Sequence, residues 1–240
     1  MKTRFGKSAL WAGLIFLIFL QTLMAQISTA KSPNPKFEAL IRRSDIFGYN
    51  PFKEIEGNPY FEKEFQTGEI IHKDSSVTRD VLMRLNHYSD QIEFKYKNSI
   101  MIFTQPRDID HVTFGHKSFV FSDYSTGKKN KSGFFEVLAW GNCKLFLRRA
   151  SIIKREKLPP TELKGGNFRD YFRTTEEYYL KKGDLPAIKI QKTKKSILKA
   201  LSDHETELID FIEKRELKLK TDEDLIDLIY HYNAISQSIQ

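Results

Sequence analysis

Residues 92–97, Ile-Glu-Phe-Lys-Tyr-Lys, alternate apolar and charged side chains and decide the fold class of this chain. Because successive side chains of a strand point to opposite faces, the pattern predicts a strand that buries its apolar side chains. The charged ones, Glu93 among them, are then expected in water. The preceding run Val81–Tyr88 predicts an antiparallel partner strand, with the turn at Ser89-Asp90.

Similar hairpin signals continue along the chain. Gly115-His116-Lys117, Gly141-Asn142 and Gly183-Asp184 each stand between two short apolar runs. Glycine adopts the positive φ angles that tight hairpin turns require. Short strands with this regular punctuation predict an antiparallel β-meander over residues 58–191, either an open sheet or a sheet rolled into a barrel.

The pattern changes to helical spacing after residue 191. Apolar residues recur every three or four positions, as expected for helices with one buried face. Ser202 and Glu205 have the spacing of a capping box, and Thr221 precedes an acidic first helical turn. Residues 192–240 are therefore predicted to form a small C-terminal helical segment packed on the sheet, which makes the fold class α+β.

The N-terminal 25 residues resemble a secretory signal peptide. Lys2, Arg4 and Lys7 precede the uncharged run Ala9–Leu20, and small residues follow. The alternative is an uncleaved membrane anchor, because the apolar stretch is roughly 17 residues long. Residues 26–57 then read as a linker that contains a short helix.

Charge and cysteine content limit the functions that this chain can have. The whole chain carries a formal charge of +8, and loss of the three basic residues at the N-terminus reduces it to +5. This excess suits weak attraction to anionic envelope polymers and does not call for nucleic acid. Cys143 is the only cysteine, so no intrachain disulfide can form, and core packing must supply the stability.

The sequence contains no recognisable catalytic motif. Glycine-rich phosphate loops, serine nucleophile elbows, His-Glu-x-x-His and paired Cys-x-x-Cys are absent from it. The nearest approach to a metal cluster is Asp108, Asp110 and His111 with His116, which an ordinary polar turn explains better. His87 or His111 with a neighbouring carboxylate could form an acid–base couple. We therefore predict no catalytic residue, no metal and no cofactor.

The best candidate binding surface is the stretch 154–172. It contains Pro159-Pro160 and Gly165-Gly166 and lacks periodicity, which predicts a long loop, and such loops are often functional. Its basic side chains define the candidate site. They are Lys154, Arg155, Lys157, Lys164 and Arg169.

Three segments together resemble a group of exported proteins of Bacteroidota-type bacteria for which no activity is established. They are Asn58–Phe61 with Phe65 and Gly68–Ile70, then Arg84–Phe94, and finally Asp224–Asn233, and the similarity extends over about residues 58–234. The resemblance implies a bacterial envelope setting and supplies no catalytic residues.

Three function hypotheses follow. The leading one is an exported, periplasmic or secreted, non-enzymatic binding or structural module for an envelope protein or an anionic polymer. The alternatives are an envelope hydrolase that uses a His/carboxylate pair, and an assembly subunit that pairs through an exposed strand edge. None of them involves nucleic acid, and membrane contact is expected only through an uncleaved N-terminal segment. The oligomeric state stays open.

Overall fold

The computed structural model describes residues 41–43, 52, 54–97, 99–127, 129–159 and 168–237. The predicted signal peptide lies outside these residues. The described part contains eleven strands: β1 (Ile41–Arg43), β2 (Gln66–His72), β3 (Val77–Asn86), β4 (Gln91–Tyr96), β5 (Ser99–Phe103), β6 (Ile109–Phe114), β7 (Lys117–Ser125), β8 (Asn130–Ala139), β9 (Cys143–Lys157), β10 (Phe168–Lys182) and β11 (Ala187–Ile190). It also contains the helices α1 (Lys194–Ala200), α2 (Glu205–Lys214) and α3 (Asp222–Gln237).

The strands form one continuous sheet that closes on itself at one end. Its order is β1-β5-β4-β3-β2-β6-β7-β11-β10-β9-β8, and β8 returns to pair with β7. Strands β7 to β11 therefore form a closed five-stranded barrel, and β1 to β6 extend from β7 as an open sheet. The predicted α+β class and rolled sheet are confirmed.

One pairing differs from the antiparallel meander. Ala187 and Ile188 of β11 pair in parallel with Tyr124 and Ser125 of β7, and this contact closes the barrel. Strand β1 also lies within the segment that was predicted to be a linker, and pairs with β5. The β11–β7 and β1–β5 pairings both join segments that are distant in the sequence, so no local turn signal predicts them.

Aromatic side chains fill the inside of the barrel. The buried residues there are Val120, Tyr124, Phe135, Val137, Phe146, Tyr179 and Ala187. The ring centroids of Phe135 lie 5.2 Å from Phe146 and 5.3 Å from Tyr179. These separations are typical of favourable aromatic pairs, so the interior is a packed core in this layer.

The three helices cover the outer face of the barrel. Leu145 and Leu147 of β9 and Leu180 of β10 pack there against Leu208 of α2 and Leu228 of α3, all of them buried. This is the helical layer that the apolar spacing predicts. Within the described residues, no helix is both long and apolar enough to cross a membrane.

One of the two predicted helix starts is confirmed, at Thr221, and Thr193, which the sequence analysis did not single out, caps α1 in the same way. The Thr193 hydroxyl accepts a hydrogen bond from the Ser196 amide (3.3 Å), and the Thr221 hydroxyl accepts one from the Asp224 amide (3.2 Å). The capping box at Ser202 is wrong. Ser202 begins a 3₁₀ turn, and α2 starts without a side-chain cap.

The predicted exposure of Glu93 is also wrong. Glu93 is 1 % exposed, and its carboxylate accepts two hydrogen bonds from the Arg84 guanidinium, at 2.9 and 2.7 Å. The Asn86 amide donates to its other oxygen at 3.1 Å. Arg84 itself lies 3.7 Å from the ring centre of Tyr60, whose backbone pairs with β3 at Asn86. The alternation of β4 is therefore correct, but its charged face is covered at Glu93, whereas Lys95 on the same face is exposed.

Candidate ligand-binding surface

Most of the predicted 154–172 loop is a two-stranded antiparallel ribbon. Strands β9 and β10 are each 15 residues long and pair from Cys143↔Lys182 to Lys157↔Phe168. Beyond Ser151 every residue of β9 is exposed, so the outer part of the hairpin leaves the core. No buried face gives it an apolar alternation, and the sequence therefore resembles a loop. Lys164 lies outside the described residues.

The ribbon divides the remaining candidate residues between two faces. Arg155 and Lys157 share one face, and Lys154 lies on the other, because side chains alternate along β9. Arg169 is opposite Glu156 and therefore shares the face of Lys154. The sequence could not reveal this division without the register of the two strands.

Ion pairs neutralise two of the candidate cations. Arg155 donates two hydrogen bonds of 2.7 Å to the Asp170 carboxylate, and these hold the pKa of Asp170 below its usual range. Arg169 donates to Glu156 at 2.6 Å and to Glu56 at 3.3 Å. These pairs are largely in solvent, so they fix the geometry of the side chains more than they stabilise the fold.

Sequence reasoning missed two residues on the face of Lys154. Tyr171 is directly opposite Lys154, and Arg173 is the next residue of β10 on the same side. Arg169 lies two positions in the other direction, with its guanidinium carbon 5.5 Å from the centre of the Tyr171 ring. Neither Lys154 nor Arg173 makes an ion pair with a described residue. This cationic face, defined as Lys154, Arg169, Tyr171 and Arg173, bears three cations, and the carboxylates of Glu156 and Glu56 both contact Arg169.

Contacts on the other face and along the edge of β10 hold the ribbon in place. Phe172 packs edge-on against Phe52 and Tyr88, with ring centroids 5.2 and 5.7 Å away. The Glu56 amide donates to the Asp170 carbonyl, and the Phe172 amide donates to the Glu56 carbonyl, both at 2.9 Å. The cationic face is thus presented on an element that is anchored from behind.

The outer edge of β9 has no backbone partner beyond Ser151 among the described residues. The Ser151 amide donates away from β10, to the His87 carbonyl at 3.0 Å. In an antiparallel strand the amides and carbonyls of alternate residues share one direction. Those of Ile153, Arg155 and Lys157 therefore point outward along this edge.

His87 is placed where a general base would work poorly. It is 6 % exposed, and burial, with the nearby charges of Arg149 and Arg148, lowers its pKa from 6.5 to about 4. No carboxylate of the described residues pairs with it. The structure therefore does not bring His87 together with the carboxylate that the hydrolase hypothesis requires.

His111, unlike His87, does lie against a carboxylate, but the candidate metal cluster around it does not form among the described residues. Its Nδ1 lies 2.7 Å from the Asp110 carboxylate, and its ring lies 5.3 Å from that of Trp140. His116 belongs to the turn between β6 and β7, where positive φ angles of 57° at Gly115 and 60° at His116 fit a tight hairpin. Within the described part of the chain, no three side chains of metal-binding type converge.

The chain matches no protein-family model, no curated protein and no solved structure.

Proposed function

We propose that this protein is an exported, non-enzymatic binding module whose cationic face binds an anionic polymer of the cell envelope. The observation that carries the proposal is the grouping of Lys154, Arg169 and Arg173 around Tyr171 on one side of an anchored ribbon. Export rests on the basic and apolar N-terminal sequence.

The spacing of the cationic face suits an extended ligand. Successive side chains on one face of a strand are about 7 Å apart, and the neighbouring strand lies about 5 Å away. Arg169 and Arg173 therefore flank Lys154 on both sides along the ribbon. A polymer with anionic groups at regular intervals can contact all three, and the Tyr171 ring offers a surface to the uncharged part of its repeat unit.

Binding of soluble polyanions tests this proposal. Polygalacturonate and polyphosphate are titrated into the protein by isothermal calorimetry, with neutral dextran as the reference ligand. The variant Lys154→Gln/Arg173→Gln removes the two cations without an ion-pair partner, so no carboxylate loses its counter-charge. Exposed ion pairs contribute about 0.2–1 kcal/mol each, so the affinity should fall about two- to 30-fold.

The matched control is Lys157→Gln/Lys199→Gln. It removes the same charge from the opposite face of the ribbon and from α1, at two exposed residues. Polyanion affinity should change less in this control, because only general attraction is reduced. An equal loss in both double variants would show that net charge alone binds the polymer and that the cationic face is not a site.

A second candidate function is strand addition by a protein partner, which the outward backbone of Ile153, Arg155 and Lys157 favours. Two copies of β9 paired at this edge in antiparallel register would oppose basic side chains, so the geometry favours an acidic partner strand over self-association. Ile153→Pro removes one outward amide and spares the bonds to β10. Envelope pull-downs should lose the partner in that variant. Capture that survives it would refute strand addition.

A further inference from the structure

The barrel has a cleft of about 590 Å³ at one end, to which all five of its strands contribute. Clefts of roughly 300–1,000 Å³ are typical of small-molecule sites. Its polar lining includes Tyr124 of β7, Lys131 of β8, Arg148 of β9, Glu177 of β10 and Lys189 of β11. The cleft is separate from the cationic face of the ribbon.

The alternation of the long hairpin explains why charges line this end. Phe146 and Tyr179 point into the barrel and belong to its packed core. The next inward residues are Arg148 on β9 and Glu177 on β10, and they are direct cross-strand partners. The aromatic core therefore ends in a charged layer that faces the cleft.

Arg148 has more hydrogen-bonding capacity than the protein uses. A guanidinium carries five N–H donors. Among the described residues, Arg148 makes one side-chain hydrogen bond, from Nη2 to the Asp90 carboxylate at 2.8 Å. Its Nε is buried without a partner, and Nη1 has no acceptor in the described part. Asp90 also accepts from the Phe134 amide at 3.2 Å, which holds it, and with it the guanidinium, in place.

The other charges of the cleft leave a positive excess. Glu177 accepts hydrogen bonds from Lys189 and, at 2.8 Å, from the Tyr179 hydroxyl. Burial opposes ionisation of Glu177, but these bonds keep its pKa below the usual range, so it and Lys189 neutralise each other. Lys131 makes no ion pair with a described residue, and the Tyr124 hydroxyl has no described hydrogen-bond partner. With Asp90 set against Arg148, the excess charge is that of Lys131.

We propose that this cleft binds an oxyanion, the carboxylate or phosphate group of a small molecule, through Arg148, Lys131 and the Tyr124 hydroxyl. The Nη N–H groups of Arg148 that have no described acceptor supply charge-assisted hydrogen bonds, and the Lys131 ammonium supplies the net charge. Ile188, at the rim, provides an apolar contact for the rest of the ligand.

Titration of the full chain with inorganic phosphate and with galacturonate tests the site, and neutral galactose serves as the reference. Lys131→Gln changes an exposed side chain and leaves the fold intact, and Tyr124→Phe removes only a hydroxyl. Each should weaken the anions about fivefold or more, since charge-assisted hydrogen bonds are the strong ones. The control is Lys129→Gln, an exposed lysine of the adjacent turn that does not line the cleft. Arg148→Lys keeps the positive charge but loses the planar array of guanidinium donors, so it should weaken anion binding most. Thermal unfolding of this variant is followed in parallel to check that it folds.

Comparison of the two anions distinguishes a phosphate site from a carboxylate site. Tighter binding of phosphate would assign the site to phosphorylated ligands, and tighter binding of galacturonate would assign it to carboxylates. The proposal fails if the wild-type protein binds neither at about 50 mM. It also fails if Lys131→Gln and Lys129→Gln behave alike. Lys154→Gln/Arg173→Gln should keep its phosphate affinity, so a failure of the polymer proposal leaves this result untouched.

Discussion

Replacement of Asn233 by alanine tests how the helical layer is joined to the barrel. Asn233 on α3 is 6 % exposed and bonds to the first residue of β9. Its Oδ1 accepts from the Cys143 amide and its Nδ2 donates to the Cys143 carbonyl, both at 2.8 Å. The Asn233 side chain thus forms a pair of hydrogen bonds with the backbone at the start of β9, as a neighbouring strand would.

The expected cost follows from the two backbone groups that lose their partners. Cys143 is fully buried, and a buried polar group without a partner costs about 1–3 kcal/mol. Asn233→Ala should therefore lower the free energy of unfolding by about 2–6 kcal/mol. For a chain of this size, a change of about 3 kcal/mol lowers the melting temperature by about 6–12 °C.

Gly141 provides a second test of this contact, because it lies against the side-chain amide of Asn233. Its φ is +149°, and a Cβ there would come within 2.2 Å of the Asn233 Nδ2. Gly141→Ala should therefore displace Asn233 and already lose part of its hydrogen bonding. The double variant lacks this clash. Its loss of unfolding free energy should therefore be at least about 1 kcal/mol smaller than the sum of the losses in the two single variants.

Urea and thermal denaturation followed by circular dichroism and tryptophan fluorescence measure all three variants. The control is Asn130→Ala, at an exposed asparagine of β8 without a described side-chain hydrogen bond, and it should stay within about 0.5 kcal/mol of the wild type. An equally small effect of Asn233→Ala, or strict additivity with Gly141→Ala, would refute the proposed anchor.

Three further predictions concern buried ionisable groups. His87 has a native pKa of about 4 but should titrate near 6.5 when unfolded, so its contribution to stability is complete above pH 6.5 and is lost as the pH falls towards 4. The free energy of unfolding should fall by about 1.4 kcal/mol per pH unit in this range. His87→Gln should flatten the plot of urea midpoint against pH there, and an unchanged plot would contradict the prediction. Burial raises the pKa of Cys143 to about 12, so a thiol reagent at pH 8 should label the unfolded chain and spare the native one, and rapid native labelling would disprove that burial. Arg84→Leu should cost about 3–5 kcal/mol in urea unfolding because it strands the buried Glu93, whereas Arg155→Leu, at an exposed pair, should cost under about 1 kcal/mol; similar losses would count against the difference in burial.

Local signals determined the part of the fold that the sequence predicted. The hairpin turns at Gly115, Gly141 and Gly183 all have positive φ angles, and each joins two neighbouring strands as expected. The helix α3 begins at the predicted threonine cap, Thr221. These features depend on a few adjacent residues, which a single sequence contains in full.

Contacts between distant segments determined the rest. Closure of the barrel depends on Ala187 meeting Tyr124, and Glu93 is buried beside Tyr60, whose backbone pairs with β3 at Asn86. The sequence predicted a binding surface at Lys154, Arg155, Lys157, Lys164 and Arg169, and that surface stays a prediction. Its neighbours Tyr171 and Arg173 follow from the strand register alone. The cleft was missed for the same reason, since its lining comes from five strands.

The two proposed sites share one face of one hairpin, which has a consequence for ligand length. Arg148 and Lys154 are six residues apart on β9, so their side chains point to the same side about 20 Å from each other. A polyanion longer than this can place one group in the cleft and others on the cationic face, and the second contact then occurs at a high effective concentration. Affinity per chain should therefore rise steeply once oligogalacturonates exceed about 20 Å, and Lys131→Gln should abolish the rise. Affinity that grows smoothly with length in both proteins would mean that the two sites act independently.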